Sequence, residues 1–309
     1  MSTTTRRLPR RALAVTAVTV ALASAAGTAF ATGNPSPAAH AADTAARAFQ
    51  AQQARPAAQA APRAATVSTP TYPLVLVNKK TKKMSHFGPN GSGGFGKRTD
   101  TGEDWSDVKS VLFDDSNKDG YVDGNWVVLS DGYLGYGNEN GGWARGSGWS
   151  TYRVSSPGDL GHSRDADLFA IDKTGVAWLY LGRPNGAIGV RVRLGSGWNN
   201  FTQIAGQGDL TGDGKADVVA RDKSGNLFLY AGTGNYKAPL AKAVKIATGW
   251  NGWNRIFSVG DYDFDGLSDL MARNSAGEIY RFSGTGNAKA PLAKGVKIGT
   301  GFNAYDIIN

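Results

Sequence analysis

The chain of 309 residues contains no cysteine, which excludes disulfide bonds and zinc sites with thiolate ligands. It has only three histidines, and neither a Gly-x-Ser-x-Gly nor a His-Glu-x-x-His motif occurs. His40 lies in a polar segment, and the dissimilar surroundings of His86 and His162 favour surface or turn positions for both. No catalytic residue is therefore predicted, although the sequence leaves a glycosidase pair of carboxylates open.

Positive charge is concentrated near the N-terminus. The formal net charge is +9, but residues 1–31 carry four Arg and no acid, which leaves +5 for the remainder. Residues 32–70 carry three Arg and one Asp, so the net charge of residues 71–309 is only +3. No stripe of Lys and Arg with interleaved aromatic residues is present. We therefore expect no nucleic-acid partner.

The first 31 residues have the three parts of an export signal. Four Arg form a positive start, residues 12–26 are apolar, and residues 29–31 form an Ala-x-Ala cleavage site, with 23–25 as an earlier alternative. Because the apolar run is short for a membrane span, an uncleaved anchor is the weaker interpretation. The paired arginines leave both the general and the twin-arginine export routes open. The sequence predicts a secreted protein without a membrane span once the signal is removed.

Residues 32–70 consist mainly of Ala, Pro, Gln and Thr, with few large apolar side chains. Such a segment cannot bury enough apolar surface to offset the entropy lost on ordering. We expect a disordered linker or pro-segment; a short Ala-rich helix around residues 43–53 would have nothing to pack on.

Four acidic loops recur along the remainder of the chain. The loop at 261–269 places Asp at its positions 1, 3, 5 and 9 and Gly at position 6, and related loops lie at 115–123, 159–167 and 209–217. The first Asp residues of the four loops are separated by 44, 50 and 52 positions. Alternating carboxylates around a tight turn supply the oxygen ligands that a hard cation such as Ca²⁺ prefers. We call the loops at 115–123, 209–217 and 261–269 intact. Residue 12 of each intact loop is Trp or Ala rather than the Glu of an EF-hand, and β-type segments flank the loops.

Short apolar strands separated by Gly-rich turns follow each loop, which is typical of an all-β repeat protein. Hairpins begin near residues 74, 126, 168, 218 and 270, and opening strands lie near 108, 152, 201, 255 and 305. The first hairpin lacks an opening strand, whereas residues 304–309 resemble an opening strand without a hairpin. If the repeats form a ring, the C-terminal strand completes the first unit. This pattern predicts a five-bladed β-propeller of four-stranded blades, with an open β-solenoid as the alternative.

The Asp-x-Asp-x-Asp-Gly-x-x-Asp loop, the hairpin that follows it and the trailing Gly-Thr-Gly resemble FG-GAP/VCBS repeats over residues 71–309. Such repeats occur in the integrin α-chain propeller and in many secreted bacterial proteins. The resemblance implies Ca²⁺ in the loops between the first and second strands of a blade. Carried over by position, the implied ligands are Asp115, Asn117, Asp119, Tyr121, Asp123, Asp209, Thr211, Asp213, Lys215, Asp217, Asp261, Asp263, Asp265, Leu267 and Asp269, where the residues at position 7 (Tyr121, Lys215 and Leu267) offer their carbonyls. The loop at 159–167 departs from the pattern at its inner positions, so no metal or only weak binding is expected there.

Aromatic residues provide the candidates for ligand contact. Trp149, Trp198 and Trp250 recur at one position of each unit, which favours packing between blades over stacking on sugar rings. Aromatic residues that break the repeat are better ligand candidates, and these are Trp143, Trp253, Tyr236 and Tyr133. The similar Lys-rich segments 237–245 and 289–297 form either a basic rim or exposed strand edges on which Lys discourages pairing.

These observations together predict a monomeric, secreted and non-enzymatic propeller that Ca²⁺ stabilises. We expect it to bind an extracellular glycan in the manner of a lectin, because weak sites multiply by repetition. A protein-binding or adhesion scaffold is the alternative, as the integrin resemblance implies. A hydrolase, or a propeller that accompanies hydrolases, is the third interpretation.

Overall fold

The computed structural model describes residues 69–138 and 140–309, which all belong to one compact unit. The predicted signal peptide, and the predicted linker up to residue 68, lie outside the described residues. No helix in the described ranges has the length and the apolar character that crossing a membrane requires.

The described chain forms twenty strands in five antiparallel sheets of four strands each. The strands are β1 (Leu74–Asn78), β2 (Lys83–Pro89), β3 (Phe95–Asp104), β4 (Val108–Asp114), β5 (Gly124–Leu129), β6 (Leu134–Asn138), β7 (Gly141–Gly146), β8 (Arg153–Gly158), β9 (Asp167–Ile171), β10 (Ala177–Arg183), β11 (Ala187–Gly195), β12 (Phe201–Ala205), β13 (Val218–Asp222), β14 (Leu227–Tyr230), β15 (Val244–Ala247), β16 (Trp253–Phe257), β17 (Leu270–Asn274), β18 (Ile279–Phe282), β19 (Val296–Gly299) and β20 (Tyr305–Ile307). The sheets form a ring, and the predicted five-bladed propeller is confirmed. We number the blades by their middle hairpins, so blade 1 contains β1 and blade 5 contains β17.

The first strand of blade 1, β20, comes from the C-terminal end of the described chain. β20 pairs antiparallel with β1, with Leu76 opposite Ile307 and Val77 opposite Asp306. The side chain of Asn309 adds two hydrogen bonds, because its Oδ1 accepts from Val75 N at 2.7 Å and its Nδ2 donates to the carbonyl of Pro73 at 3.0 Å. Both ends of the described chain are therefore held in the same sheet.

The core lies between neighbouring blades, in apolar layers made by alternate residues of the facing sheets. Trp126 on β5 is fully buried between blades 2 and 3, where its indole N–H donates to the carbonyl of Gly186 at 3.0 Å. His86 was expected at the surface or in a turn, but it lies on β2 and is only 7% exposed. That expectation was wrong because β2 lies inside the sheet of blade 1 and is buried on both faces, so that Met84, Ser85 and His86 are buried in succession.

A 3-10 turn precedes the first strand of blades 3, 4, 5 and 1, and each turn begins with a buried aromatic residue: Trp149, Trp198, Trp250 and Phe302. Arginines from the blade before hold three of these turns. Arg153 donates through Nη2 to the carbonyl of Trp198 at 2.9 Å and through Nη1 to that of Phe201 at 2.7 Å. Arg221 Nη1 donates to the carbonyls of Trp250 and Trp253, and Arg273 Nη1 donates to those of Phe302 and Tyr305. The recurring aromatic residues therefore pack between blades.

Blade 1 has no acidic loop before its hairpin, and the segment Thr69–Tyr72 takes that place. Thr71 N donates to the carbonyl of Gly120 in blade 2, and Tyr72 N donates to the carbonyl of Val259 in blade 5. The hydroxyl of Thr69 also donates to the carbonyl of Gly266 at 2.7 Å. Thr69 and Pro70, which the sequence assigned to the linker, therefore contact the propeller.

Candidate metal-binding loops and the axial cavity

All four acidic loops share one hydrogen-bond frame around their first Asp. Each such carboxylate, at 115, 159, 209 and 261, accepts the backbone N–H groups of the loop's fifth and sixth residues, at distances between 2.6 and 3.3 Å. The sixth residue has a positive φ in every loop: 88° at Gly120, 85° at Arg164, 82° at Gly214 and 99° at Gly266. The loop at 159–167 keeps this frame without the inner acidic residues. The backbone shape of the loops therefore follows from hydrogen bonding of the first Asp.

The ninth Asp closes three of the loops and ties each to the third strand of the same blade or to the second residue after that strand. One oxygen of Asp167 accepts Gly161 N at 2.7 Å, and the other accepts Gly182 N at 2.8 Å. Asp217 and Asp269 make the corresponding pair of contacts. These carboxylates therefore link each loop to its own blade by hydrogen bonds.

Blade 2 departs from this arrangement by one residue. Five positions separate Asp167, Asp217 and Asp269 from the residues whose carbonyls accept the N–H of the hairpin glycine, at 172, 222 and 274. Six positions separate Asp123 from Leu129, which holds that place in blade 2. The carboxylate of Asp123 turns back into its own loop, where it accepts from Asn117 N and Nδ2, each at 2.8 Å. The neighbouring Asp114 instead makes the contacts with other elements, accepting from Tyr136 Oη at 2.9 Å.

The loop at 261–269 brings three carboxylates together. One oxygen from each of Asp261, Asp263 and Asp265 lies within 4.8 Å of the other two, and no other such group of His, Cys, Asp and Glu occurs in the ranges that the structure describes. Oδ1 of Asp263 is buried and accepts no hydrogen bond from the described residues. Its Oδ2 lies 2.9 Å from Nη1 of Arg281 and accepts from Ser283 Oγ at 2.9 Å. A buried acceptor inside an all-oxygen donor set fits a hard divalent cation.

Asp269 lies outside this cluster, because its oxygens are bonded to Tyr262 N and Gly284 N. The other two intact loops offer two clustered carboxylates at most, because Asn117 and Thr211 occupy their third positions. In the loop at 209–217, Lys215 Nζ also pairs with Asp213 Oδ2 at 2.8 Å. The structure therefore ranks the loop at 261–269 above the other two as a candidate metal site.

Burial raises the pKa of several loop carboxylates. It raises the pKa of Asp115 and of Asp269 to about 7, and that of Asp167 and of Asp217 to about 6. Backbone N–H donors lower each of these pKa values, but less than burial raises them. The loops concentrate negative charge in poorly solvated positions, where a bound cation would offset the cost of ionisation.

The four non-repeating aromatic residues do not form one site. Tyr133 is in the core at 9% exposed. Trp143 is partly buried against the layer between blades 2 and 3, and Trp253 against the layer between blades 4 and 5. Tyr236 is 43% exposed in the β14–β15 connection, with Lys237 Nζ 5.8 Å from its ring centre. A Cβ placed on Gly161 would lie 3.4 Å from Tyr236 Cβ, so this ring adjoins the loop at 159–167. Of the four, Tyr236 offers the most ring surface to a ligand.

A cavity of about 120 Å³ opens among the loops of blades 2, 3 and 4 and the segment Thr69–Tyr72, and we call it the axial cavity. Its lining includes four basic side chains: Lys118, His162, Arg164 and Lys215. Sequence reasoning did not identify this group, because its members lie in three different repeats. The available signal was the departure of the loop at 159–167 from the repeat, since two of the four basic residues stand there.

Residues 209–272 match the family model of the FG-GAP-like repeat. The chain fits an FG-GAP/VCBS propeller. No curated protein matches the sequence. The match and the fold together support a propeller that serves as a binding or scaffold module.

Solved structures of low sequence identity are similar to this chain. The Dos1 propeller matches at 10% identity and a TM-score of 0.38, over 76% of this chain and 64% of that chain. The WD40 domain of SCAP from fission yeast matches at 10% identity and 0.35, over 76% and 57% respectively. YCF48 from Cyanidioschyzon merolae matches at 13% identity and 0.32, over 75% and 73%. The chain spans less than two thirds of the length of the first two.

Proposed function

We propose that this chain is a secreted, non-enzymatic propeller that Ca²⁺ stabilises and that binds carbohydrate outside the cell in the manner of a lectin. The observation that carries the calcium part is the carboxylate cluster of Asp261, Asp263 and Asp265, with its buried oxygen that lacks a hydrogen-bond donor. Bound Ca²⁺ would supply positive charge there and would hold the loop closed. The exposed ring of Tyr236 beside the loop at 159–167 supports the carbohydrate part, because sugar rings stack on exposed aromatic faces.

Binding of the purified full-length chain to an array of immobilised glycans, in Ca²⁺ and in EDTA, tests this function. We expect a restricted set of glycans to bind, and Tyr236→Ala to weaken that binding while the protein stays folded. A wild-type protein that binds no glycan in Ca²⁺ would remove the lectin proposal. N-terminal sequencing of protein recovered from the culture medium tests secretion and signal cleavage.

A protein-binding scaffold is the second candidate, and the outermost strands favour it. Val190 on β11, Val244 on β15 and Val296 on β19 are each more than half exposed, at 57%, 51% and 54%. Apolar side chains on an exposed sheet edge are suited to contact with another protein. If a partner recovered from the secreted proteins binds wild type but not a variant with Lys at all three positions, this candidate gains over the lectin.

The non-enzymatic part has its own test. Purified protein is assayed against chromogenic glycosides and esters, with Ca²⁺ present. We expect no turnover above that of a heat-denatured sample. Turnover that scales with protein concentration and survives further purification would make the chain a hydrolase.

A further inference from the structure

The axial cavity has a basic lining that nothing in the metal-binding loops requires. A water molecule occupies about 30 Å³, so a cavity of about 120 Å³ has room for one small polar group together with solvent. Arg164 and His162 are exposed at its rim, and Lys118 and Lys215 are partly buried. Such a lining suits a group that carries negative charge.

Three carboxylates also line the cavity, but their oxygens are engaged within their own loops. Asp115, Asp159 and Asp209 each accept two or more backbone N–H groups. Asp159 also pairs with Lys118 Nζ at 2.9 Å. Their oxygens are therefore already occupied by hydrogen-bond donors of their own loops and, at Asp159, also by the ammonium group of Lys118.

Arg164 differs from the other basic residues. Lys118 pairs with Asp159 and Lys215 pairs with Asp213, whereas the guanidinium of Arg164 forms no ion pair with any residue that the structure describes. A guanidinium presents several N–H donors in a planar fork that matches the oxygens of a carboxylate, sulfate or phosphate group. The guanidinium of Arg164 can therefore donate its N–H groups to a bound anion without first breaking an ion pair.

The backbone conformation of the loop at 159–167 also supports a role for Arg164. The loop at 159–167 has lost its inner metal ligands, with Gly161 at position 3 and Ser163 at position 5, yet it keeps the frame of the other loops. Its two left-handed positions carry basic side chains, His162 with φ of 60° and Arg164 with φ of 85°. Glycine fits such positions without strain, and the other three loops have Gly at the sixth position. Arg164 therefore stands in the cavity at a cost in backbone strain that function can explain.

We propose that the axial cavity binds the acidic group of a saccharide, which is a carboxylate, sulfate ester or phosphate ester, with Arg164 as its main partner. His162, Lys118 and Lys215 surround the anion, and the sugar ring extends toward the exposed ring of Tyr236. This assignment rests on the proposed carbohydrate-binding function and narrows it to acidic glycans. Because the carboxylate, the sulfate ester and the phosphate ester share this chemistry, experiment must decide which of the three groups binds.

The full-length chain is titrated calorimetrically with oligosaccharides of equal length that are neutral, uronic-acid-containing, sulfated or phosphorylated. We expect at least one acidic ligand to bind more tightly than the neutral one. Arg164→Gly should weaken that binding about 10-fold or more, because a charge-assisted hydrogen-bond pair is lost. Arg164→Lys should keep part of the affinity, and Lys242→Ala, an equal loss of charge at an exposed site, should change little. Arg164→Gly relieves backbone strain, so loss of binding in this variant does not arise from unfolding.

Equal binding of the acidic ligand by wild type and Arg164→Gly overturns the assignment of the cavity and leaves carbohydrate binding intact. If no saccharide binds, the proposed function fails, and inorganic sulfate then tests the cavity alone by NMR. Amide shifts in the loop at 159–167 that saturate with sulfate in wild type, and vanish in Arg164→Gly, support the anion site. Without such shifts, the anion site is overturned as well.

Discussion

Arg164 and Gly214 hold the same backbone position in two successive loops. Their φ angles are 85° and 82°, and each N–H donates to Oδ2 of its loop's first Asp, at 3.1 and 2.6 Å. Only the glycine adopts this conformation without a Cβ clash. The hydrogen bonds of the first Asp therefore hold Arg164 in a strained conformation.

Arg164→Gly should increase the free energy of unfolding by about 1 kcal/mol, because the strain of a non-glycine residue at this φ is removed. Part of the gain is offset by the greater entropy that glycine gives the unfolded chain. Urea denaturation followed by tryptophan fluorescence measures the change. Gly214→Ala is the matched control and should lose about 1 kcal/mol, since a Cβ there meets no atom within 4 Å and only the backbone is strained. If Arg164→Gly destabilises the protein, the strain at this loop is refuted.

Asn125→Leu should stabilise the propeller by about 1 to 3 kcal/mol. Asn125 is fully buried on β5, and neither polar atom of its side chain has a hydrogen-bond partner among the described residues. The equivalent residue of β9, Leu168, is apolar and 1% exposed. Thermal and urea unfolding measure the effect, and Leu168→Asn, the reverse change, should destabilise by a similar amount or more. A destabilised Asn125→Leu protein would instead indicate that the amide holds a buried water.

Calcium should raise the melting temperature, and Asp265→Asn should reduce that rise. Metal that binds only the folded state adds about 2.7 kcal/mol at 100 times its Kd. Asn can keep the hydrogen bond that Asp265 Oδ1 accepts from Leu267 N at 2.9 Å, so the metal-free protein should change little. A tenfold loss of affinity removes about 1.4 kcal/mol of the added stability. Scanning calorimetry in EDTA and in Ca²⁺ measures the melting temperatures of wild type and Asp265→Asn, with Asn at the exposed Asp107 as the control substitution. An identical calcium shift in Asp265→Asn and wild type would contradict a site at this loop.

His86 should make the protein sensitive to mild acid. Burial lowers the pKa of His86, and Asp100 opposes the shift more weakly. The unfolded chain then binds more protons than the folded one between the lowered pKa and the ordinary value of about 6.5. Stability is full above that window and is lost as the pH falls through it. Urea midpoints between pH 7.5 and 5 should fall less steeply for His86→Gln than for wild type. Parallel slopes in the two proteins would exclude His86 as a source of acid sensitivity.

Repetition made the fold readable from the sequence. The hairpins, their Gly turns and the four Asp-rich loops recur at nearly regular spacing, so a correct reading of one blade transferred to the others. Trp149, Trp198 and Trp250 could be assigned to packing for the same reason, and all three are at least 93% buried. The one-residue displacement of Asp123 was missed, because position counting within a loop does not measure the distance from the ninth Asp to the hairpin turn that follows.

The candidate ligand sites were harder to predict, because they depend on contacts between repeats. Nothing in the sequence shows that Arg281 lies against Asp263, or that Lys118, Arg164 and Lys215 line one cavity. Tyr133 and Tyr236 are both tyrosines that break the repeat, yet one is buried in the core and the other is exposed. Composition cannot separate such cases, since exposure is decided by the neighbouring blade.

The contact between Val75 and Asn309 joins residues 234 positions apart in the sequence. During synthesis, four blades' worth of later strands emerge before β20 can reach β1, so the blade translated first is the last to be finished. Until then β1 presents a free edge to any other strand nearby. Such a distant closing step slows folding, because contacts between residues far apart in the sequence contribute only after a costly loop closure.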